Sequence, residues 1–271
     1  MLGISLEDLL EVSSNKKIYT SYGGIMLVEL PCGILKDNDI YDHVQVKELT
    51  GRQQNYLIDM ELVTDSLGHV PRLLEELTSN FQTKEGKPLI LPQSEAINLL
   101  ASEDVECILL KIREATYGPA YAIPVRCPHC SKQQTKKVDL DKIEITKLSN
   151  KSVRTKVIQL QKSGIEAEIK LLYLKDLYSL YKALKENPRK LYTGTLYLSL
   201  KRLGDNEQVK EEDLLDLPVS DLSAIENAFS ELRGSVDTML TNDCDECSKE
   251  FDTPLPVMDP SFFVQSRTPL T

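Results

Sequence analysis

Two C-x-x-C pairs constrain this chain more than anything else in it: Cys127-Pro128-His129-Cys130 and Cys244-Asp245-Glu246-Cys247. A pair at that spacing forms a tight knuckle that turns both thiolates toward one ion, and two knuckles complete a tetrahedral four-sulfur shell. Each pair is followed by Ser-Lys, at Ser131-Lys132 and Ser248-Lys249, and then by a segment able to return as a strand, Lys136–Leu140 and Phe251–Leu255. Each half therefore reads as strand, knuckle, strand. The halves are far apart, with 113 residues between Cys130 and Cys244. A compact finger has roughly 12–20 there. A whole segment must leave the ribbon and return to it, so ion binding would close a long loop and contribute to folding. The expected ligands are Cys127, Cys130, Cys244 and Cys247, holding one structural zinc per chain. The same pairs also read as disulfides or as redox dithiols. A redox pair normally stands singly at a helix start, which these do not. His129 lies between two ligands and is expected to point away.

With 271 residues and 41% hydrophobic content, the chain can build a substantial core. Cys32 and Cys107 read as small buried residues. The N-terminus has neither a basic region nor a long apolar run, and no stretch approaches the roughly 20 apolar residues of a membrane span. Net charge is −10, which argues against general nucleic-acid binding. Arg126–Lys170 is the exception, with eleven Lys/Arg against five Asp/Glu. It reads first as a solvated face. A zinc-ribbon regulator binding nucleic acid through 126–170 is the alternative.

The expected fold class is α+β: helical segments and short β-hairpins organised around a split zinc ribbon. Residues 1–50 read as an N-terminal arm and β-hairpin. The strand Ile25–Leu30 breaks at Pro31-Cys32-Gly33, and a turn at Asp37-Asn38-Asp39 leads to a strand at His43–Leu49 with His43 exposed. Residues 51–118 form a helical segment. Thr50 and Gln53 read as a capping box. A second helix carries Val70, Leu73, Leu74, Leu77 and Phe81, with His69 on the surface or capping. Ser102 caps a third, whose buried stripe is Val105, Ile108, Leu109 and Ile112. Residues 119–145 are the first half of the ribbon.

The inserted segment, 146–234, holds a hairpin around Ser163-Gly164 and a helix ended by Asn187-Pro188. A helix-like run follows, with Leu191, Leu196, Leu198, Leu200 and Leu203, and then a last helix after Ser220. Its tyrosines, Tyr173, Tyr178, Tyr181, Tyr192 and Tyr197, read as core-rim residues. Residues 235–258 are the second half of the ribbon. Residues 259–271 are a tail with an exposed Phe262-Phe263 pair, which packs back on the ribbon or inserts into a neighbour. No nucleophile, metalloprotease, P-loop or dinucleotide motif is present, and four cysteines around one ion leave no open coordination position. These residues imply no catalysis.

The run Ile112-Arg113-Glu114-Ala115-Thr116-Tyr117-Gly118-Pro119-Ala120-Tyr121, then Cys127-Pro128-His129-Cys130 and Val138-Asp139-Leu140, resembles the baseplate hub assembly proteins of T-even-type and related contractile-tailed bacteriophages. So do Asp213-Leu214-Leu215, Leu217-Pro218 and the closing Pro260-Ser261-Phe262-Phe263. The second knuckle departs from the first in lacking its Pro. The resemblance implies a non-enzymatic structural or assembly role in the virion tail baseplate or the infected host cytoplasm. It implies a multi-subunit assembly with other baseplate or tail proteins as partners. The terminal segments Met1–Tyr19 and Pro254–Thr271 are then expected to thread onto neighbours.

Overall fold

The structure, a computed structural model, describes residues 24–61, 68–186 and 191–264. The expected arm at Met1–Tyr19, the helix end at Asn187-Pro188 and the last residues of the tail lie outside them. Strands β1 (Ile25–Lys36) and β2 (Asp39–Lys47) form an antiparallel hairpin. Asp37 and Asn38 close it with φ of 51° and 66°, the left-handed pair that suits strand twist. Strand β1 does not end at Pro31-Cys32-Gly33 as expected. It bulges between Glu29 and Ile34 and continues. Gly33 sits there at φ 67°, where an added Cβ would lie 2.8 Å from the Asp42 Cβ. Helix α1 (Gly51–Glu61) starts with the Gln53 side chain accepting the Thr50 N–H at 3.0 Å.

Helix α2 (His69–Leu77) is shorter than expected. Phe81 lies instead on β3 (Thr78–Gln82), which adds to β2 and completes a three-stranded sheet. His69 is fully buried rather than superficial, with its ring edge-on to Phe263 at 6.3 Å. After α3 (Gln93–Asn98) comes α4 (Ser102–Tyr117), which is central to the molecule. It is buried on nearly every side, not along one stripe. Ser102 is its first helical residue and does not cap it; the Asp104 carboxylate reaches back to the Ala101 N–H at 3.3 Å. Gly118 ends it at φ 80°.

Strands β4 (Ala120–Arg126) and β5 (Gln133–Asp139) form the first knuckle hairpin. A 3₁₀ turn (Leu140–Lys142) leads to β6 (Ile145–Thr146). Strand β6 pairs with β10 (Ser235–Val236), with Thr146 opposite Ser235. The chain thus leaves and returns through one two-stranded stem. Gly234 makes that approach possible, because an added Cβ would stand 2.7 Å from the Thr146 carbonyl oxygen. Between the stem strands lie β7 (Thr155–Gln159), β8 (Glu166–Lys170), α5 (Leu174–Glu186), α6 (Leu191–Ser199), β9 (Leu200–Leu203), α7 (Glu211–Leu215) and α8 (Val219–Leu232).

The β7–β8 hairpin around Ser163-Gly164 matches expectation. Leu200 and Leu203 do not extend α6; they form β9 at the edge of β8. Tyr173, Tyr178 and Tyr197 are half-buried at core margins, as expected, while the side chains of Tyr181 and Tyr192 lie outside the description. Strands β11 (Met239–Asp243) and β12 (Glu250–Pro254) form the second knuckle hairpin.

The expected exposed tail is the largest correction. Pro260–Phe263 form a 3₁₀ turn, and Phe262 and Phe263 are both at 0% exposure within the main core. Arg113 donates from Nε to the Phe262 carbonyl at 3.0 Å, and the Tyr117 hydroxyl to the Phe263 carbonyl at 3.0 Å. The Arg113 guanidinium also lies 4.2 Å from the Tyr117 ring centre, a cation–π contact. The two phenyl groups bury too much apolar surface to be a docking tail.

Phe262→Ala is expected to cost about 3–5 kcal/mol in denaturant unfolding. Truncation before Asp259 is expected to give an unstable protein rather than a folded one with a missing arm. A second prediction concerns Glu106. Burial, and after it the Glu103 carboxylate, push its carboxyl up to about 7. The fold then prefers the protonated form. That preference is fully present below the ordinary carboxyl range and is lost as pH rises through 7. Glu106→Gln should raise stability at pH 8 by at most about 3 kcal/mol. Near pH 4 it should change little, as thermal melts at the two pH values would show.

Candidate metal centre

The two hairpins are near-copies at the knuckle. The β4–β5 loop is closed by Arg126 opposite Gln133, and the β11–β12 loop by Asp243 opposite Glu250. In the first, the Cys127 N–H reaches the Lys132 carbonyl at 3.0 Å and the Ser131 N–H reaches the Cys127 carbonyl at 2.9 Å. In the second, Cys244 to Lys249 and Ser248 to Cys244 repeat those bonds at 3.0 and 2.9 Å. The residue after each second cysteine turns the chain back through left-handed space, with Ser131 at φ 63° and Ser248 at φ 55°. This accounts for the small residue at that position in both halves.

The fold brings together all four cysteines predicted as ligands. Their sulfurs lie within 4.8 Å of one another. The Cys127 and Cys247 sulfurs are 3.8 Å apart, and those of Cys130 and Cys244 3.5 Å. A tetrahedral ion with metal–sulfur distances of about 2.3 Å spaces its ligands about 3.8 Å apart. A disulfide requires about 2.05 Å. The donor set therefore fits a thiophilic ion, and all six cysteines are free thiols. The Cys247 amide, and then that of Glu246, pull the Cys244 thiol down to about 6. The Lys132 amide also favours the Cys130 thiolate, yet burial and the other three sulfurs push that thiol up to about 12. Four sulfurs this close hold four negative charges only around a cation.

His129 stands apart, as expected. Its N–H donates to the Cys127 sulfur at 3.4 Å, while its exposed ring nitrogen lies 3.3 Å from the Glu250 carbonyl. Cys32 and Cys107 are buried away from the cluster, and burial pushes Cys107 up to about 12.

Behind the sulfurs is a small apolar core of Ile123, Val125 and Phe251, flanked by Tyr121, Val138 and Leu240. Two inward residues of β5 cross to the second knuckle. Lys136 pairs with Asp245 at 2.6 Å, and the Gln134 side-chain oxygen accepts the Asp245 N–H at 3.0 Å. Sequence reading missed both, although the alternation of β5 puts Gln134 and Lys136 on the side facing the partner hairpin.

The basic stretch is largely engaged within the chain. Lys147 pairs with Glu29 at 2.5 Å and Lys151 with Asp42 at 2.6 Å. Arg154 donates to the Cys32 and Gly33 carbonyls at 3.2 and 3.0 Å. These cations fasten the inserted segment to the bulge of β1. Among the described residues, no helix is long and apolar enough to cross a membrane.

Comparison with known proteins gives one match. A family model described as T4 bacteriophage base plate protein covers residues 35–263, most of the chain and both knuckles. No curated protein matches. No solved structure matches either.

Ser131→Gly and Ser248→Gly should be neutral or stabilising by up to about 1 kcal/mol, since glycine occupies left-handed space without penalty. Valine at either position should destabilise, because a β-branched side chain is strongly disfavoured at positive φ. Thermal unfolding of the four variants would rank them.

Proposed function

Because the chain belongs to the T4 bacteriophage base plate protein family, we propose that it is a non-enzymatic structural component of the virion's tail baseplate. In this reading it docks on other baseplate or tail proteins through a platform held rigid by one zinc ion. Cys127, Cys130, Cys244 and Cys247 are its ligands. The observation that carries the zinc assignment is the sulfur geometry, with pairs at 3.5 and 3.8 Å and all four within 4.8 Å. A filled four-cysteine shell cross-links and leaves no position for an activated water. Iron also fits such a shell in a recombinant preparation, so the ion is identified by measurement.

Platform docking is supported by the solvent-facing sides of the two knuckle hairpins. Residues 1–19 and those after 264 are the segments assigned to thread onto neighbours. Pro254–Phe263 are withdrawn from that role, because Phe262 and Phe263 are core residues. The nucleic-acid reading loses support from the engagement of Lys147, Lys151 and Arg154 with the chain's own carboxylates and carbonyls.

Elemental analysis of the purified chain should find one zinc per chain. Cys244→Ser should lose it and unfold the ribbon, seen as amide exchange through residues 120–139 and 239–254. The core around α4 should stay protected, since the ribbon strands add only the partly buried Tyr121, Val138 and Leu240 at its margin. A metal-free wild-type protein with an ordered ribbon would sink the zinc assignment. For the docking role, a chain ending at residue 264 should keep its metal but lose co-purifying tail proteins. Full retention of those partners would remove the threading role of the residues after 264.

A further inference from the structure

The ribbon has two outer faces of opposite charge. In antiparallel pairs, directly opposite residues project to the same side. On β4–β5 the outward row is Ala120 with Asp139, Ala122 with Lys137, Pro124 with Thr135, and Arg126 with Gln133, and the Asp139 carboxylate is paired with Lys142 at 3.5 Å. On β11–β12 it is Met239 with Pro254, Thr241 with Asp252, and Asp243 with Glu250. The inward rows meet in the small core that joins the hairpins, and a cleft lined by Lys137, Asp139, Met239 and Thr241 lies between β5 and β11. Arg126, Lys137, Asp243, Glu250 and Asp252 are all exposed. Among the described residues none of these five is in an ion pair. Lys136 with Asp245 and Lys132 with Glu246 join the halves through the same basic-to-acidic match. Met239, 53% exposed, sits at one end of the acidic row.

We propose that the basic outer face of β4–β5 in one copy docks on the acidic outer face of β11–β12 in a second copy. The two faces are carried by matching hairpins and are complementary in charge. The contact is heterologous: each copy uses a different face toward each neighbour. Such contacts generate rings when the rotation closes and filaments when it does not. Exposed charge pairs contribute little one at a time. The contact is therefore weak between isolated chains and is strengthened where other subunits hold the copies side by side. It needs the ribbon's shape but not any particular ion.

The test is analytical ultracentrifugation of the full chain across concentration and ionic strength. Association should grow with concentration at about 0.01 M salt, where the screening length is about 30 Å, and vanish near about 1 M, where it is about 3 Å. Arg126→Glu with Lys137→Glu should abolish association. So should Asp243→Lys with Glu250→Lys. Mixing the two double variants should restore it, because each then presents the charge the other lacks. Metal content measured on the same samples keeps a disrupted ribbon distinct from a disrupted contact. A wild-type chain that stays monomeric at low salt would overturn the proposal. So would association that survives both double variants, or double variants that keep their metal and do not recombine.

Discussion

Everything in this structure is fastened to the buried helix α4. A helix surrounded by other elements is usually apolar all round, yet this one carries Glu103, Asp104, Lys111, Arg113 and Glu114 in the interior. Each of these is matched, and the matches go to different parts of the chain. Asp104 accepts the Cys32 and Gly33 amides at 2.7 and 3.1 Å and so fixes the bulge of β1. Glu103 faces Arg233 at 3.3 Å, at the end of α8. Lys111 and Glu114 satisfy one another one turn apart. Arg113 and Tyr117 hold the carbonyls of the closing phenylalanines, and Thr116 accepts the Leu49 amide at 2.9 Å. Burying such groups without partners costs several kcal/mol each, so the partners are obligatory and the helix dictates where they stand.

The sulfur cluster works on a different scale. Once α4 has placed β4 and the closing segment, the stem of β6 and β10 already delivers β11 to its place. An ion held there would therefore close little of the long loop's entropy. Its contribution is local. The ribbon core holds only a few apolar side chains, too few to keep two hairpins packed without a staple. Helix and cluster thus divide the molecule: the helix orders the body, and an ion held by the cluster would order the two knuckle hairpins.

The parts legible in the sequence were those whose cause is local. A knuckle is specified by two cysteines, a turn and a small residue after them, so the clustered cysteines and their hairpins could be read at both sites despite the intervening chain. The Asp37-Asn38 turn and the Ser163-Gly164 hairpin are local in the same way. Where reading failed, the deciding partner was distant. Phe81, Leu200 and Leu203 continue helical spacing, but a neighbouring strand with an open edge drew each into a sheet, a tertiary override of local preference. His69 and the tail phenylalanines look superficial beside polar neighbours. They are buried because they meet each other and α4. Polar residues at 102–104 hid the all-round burial of α4, since a periodic reading assigns polar positions to water.

Two of the phrases that carry the family resemblance outside the knuckles form a single contact. Arg113 and Tyr117 belong to the phrase ending in Tyr-Gly, and Phe262-Phe263 to the chain's close, about 150 positions later. One supplies donors, the other carbonyls and two phenyl rings. The phrases are recognisable because each constrains the other: a changed arginine leaves a buried carbonyl unsatisfied, and a changed phenylalanine leaves a cavity beside a buried cation. The tie lies inside the body and is neither a surface nor a reacting group. Family membership says that the chain builds a baseplate. In the proposed role the docking surfaces would lie elsewhere, on faces that this tie holds in position.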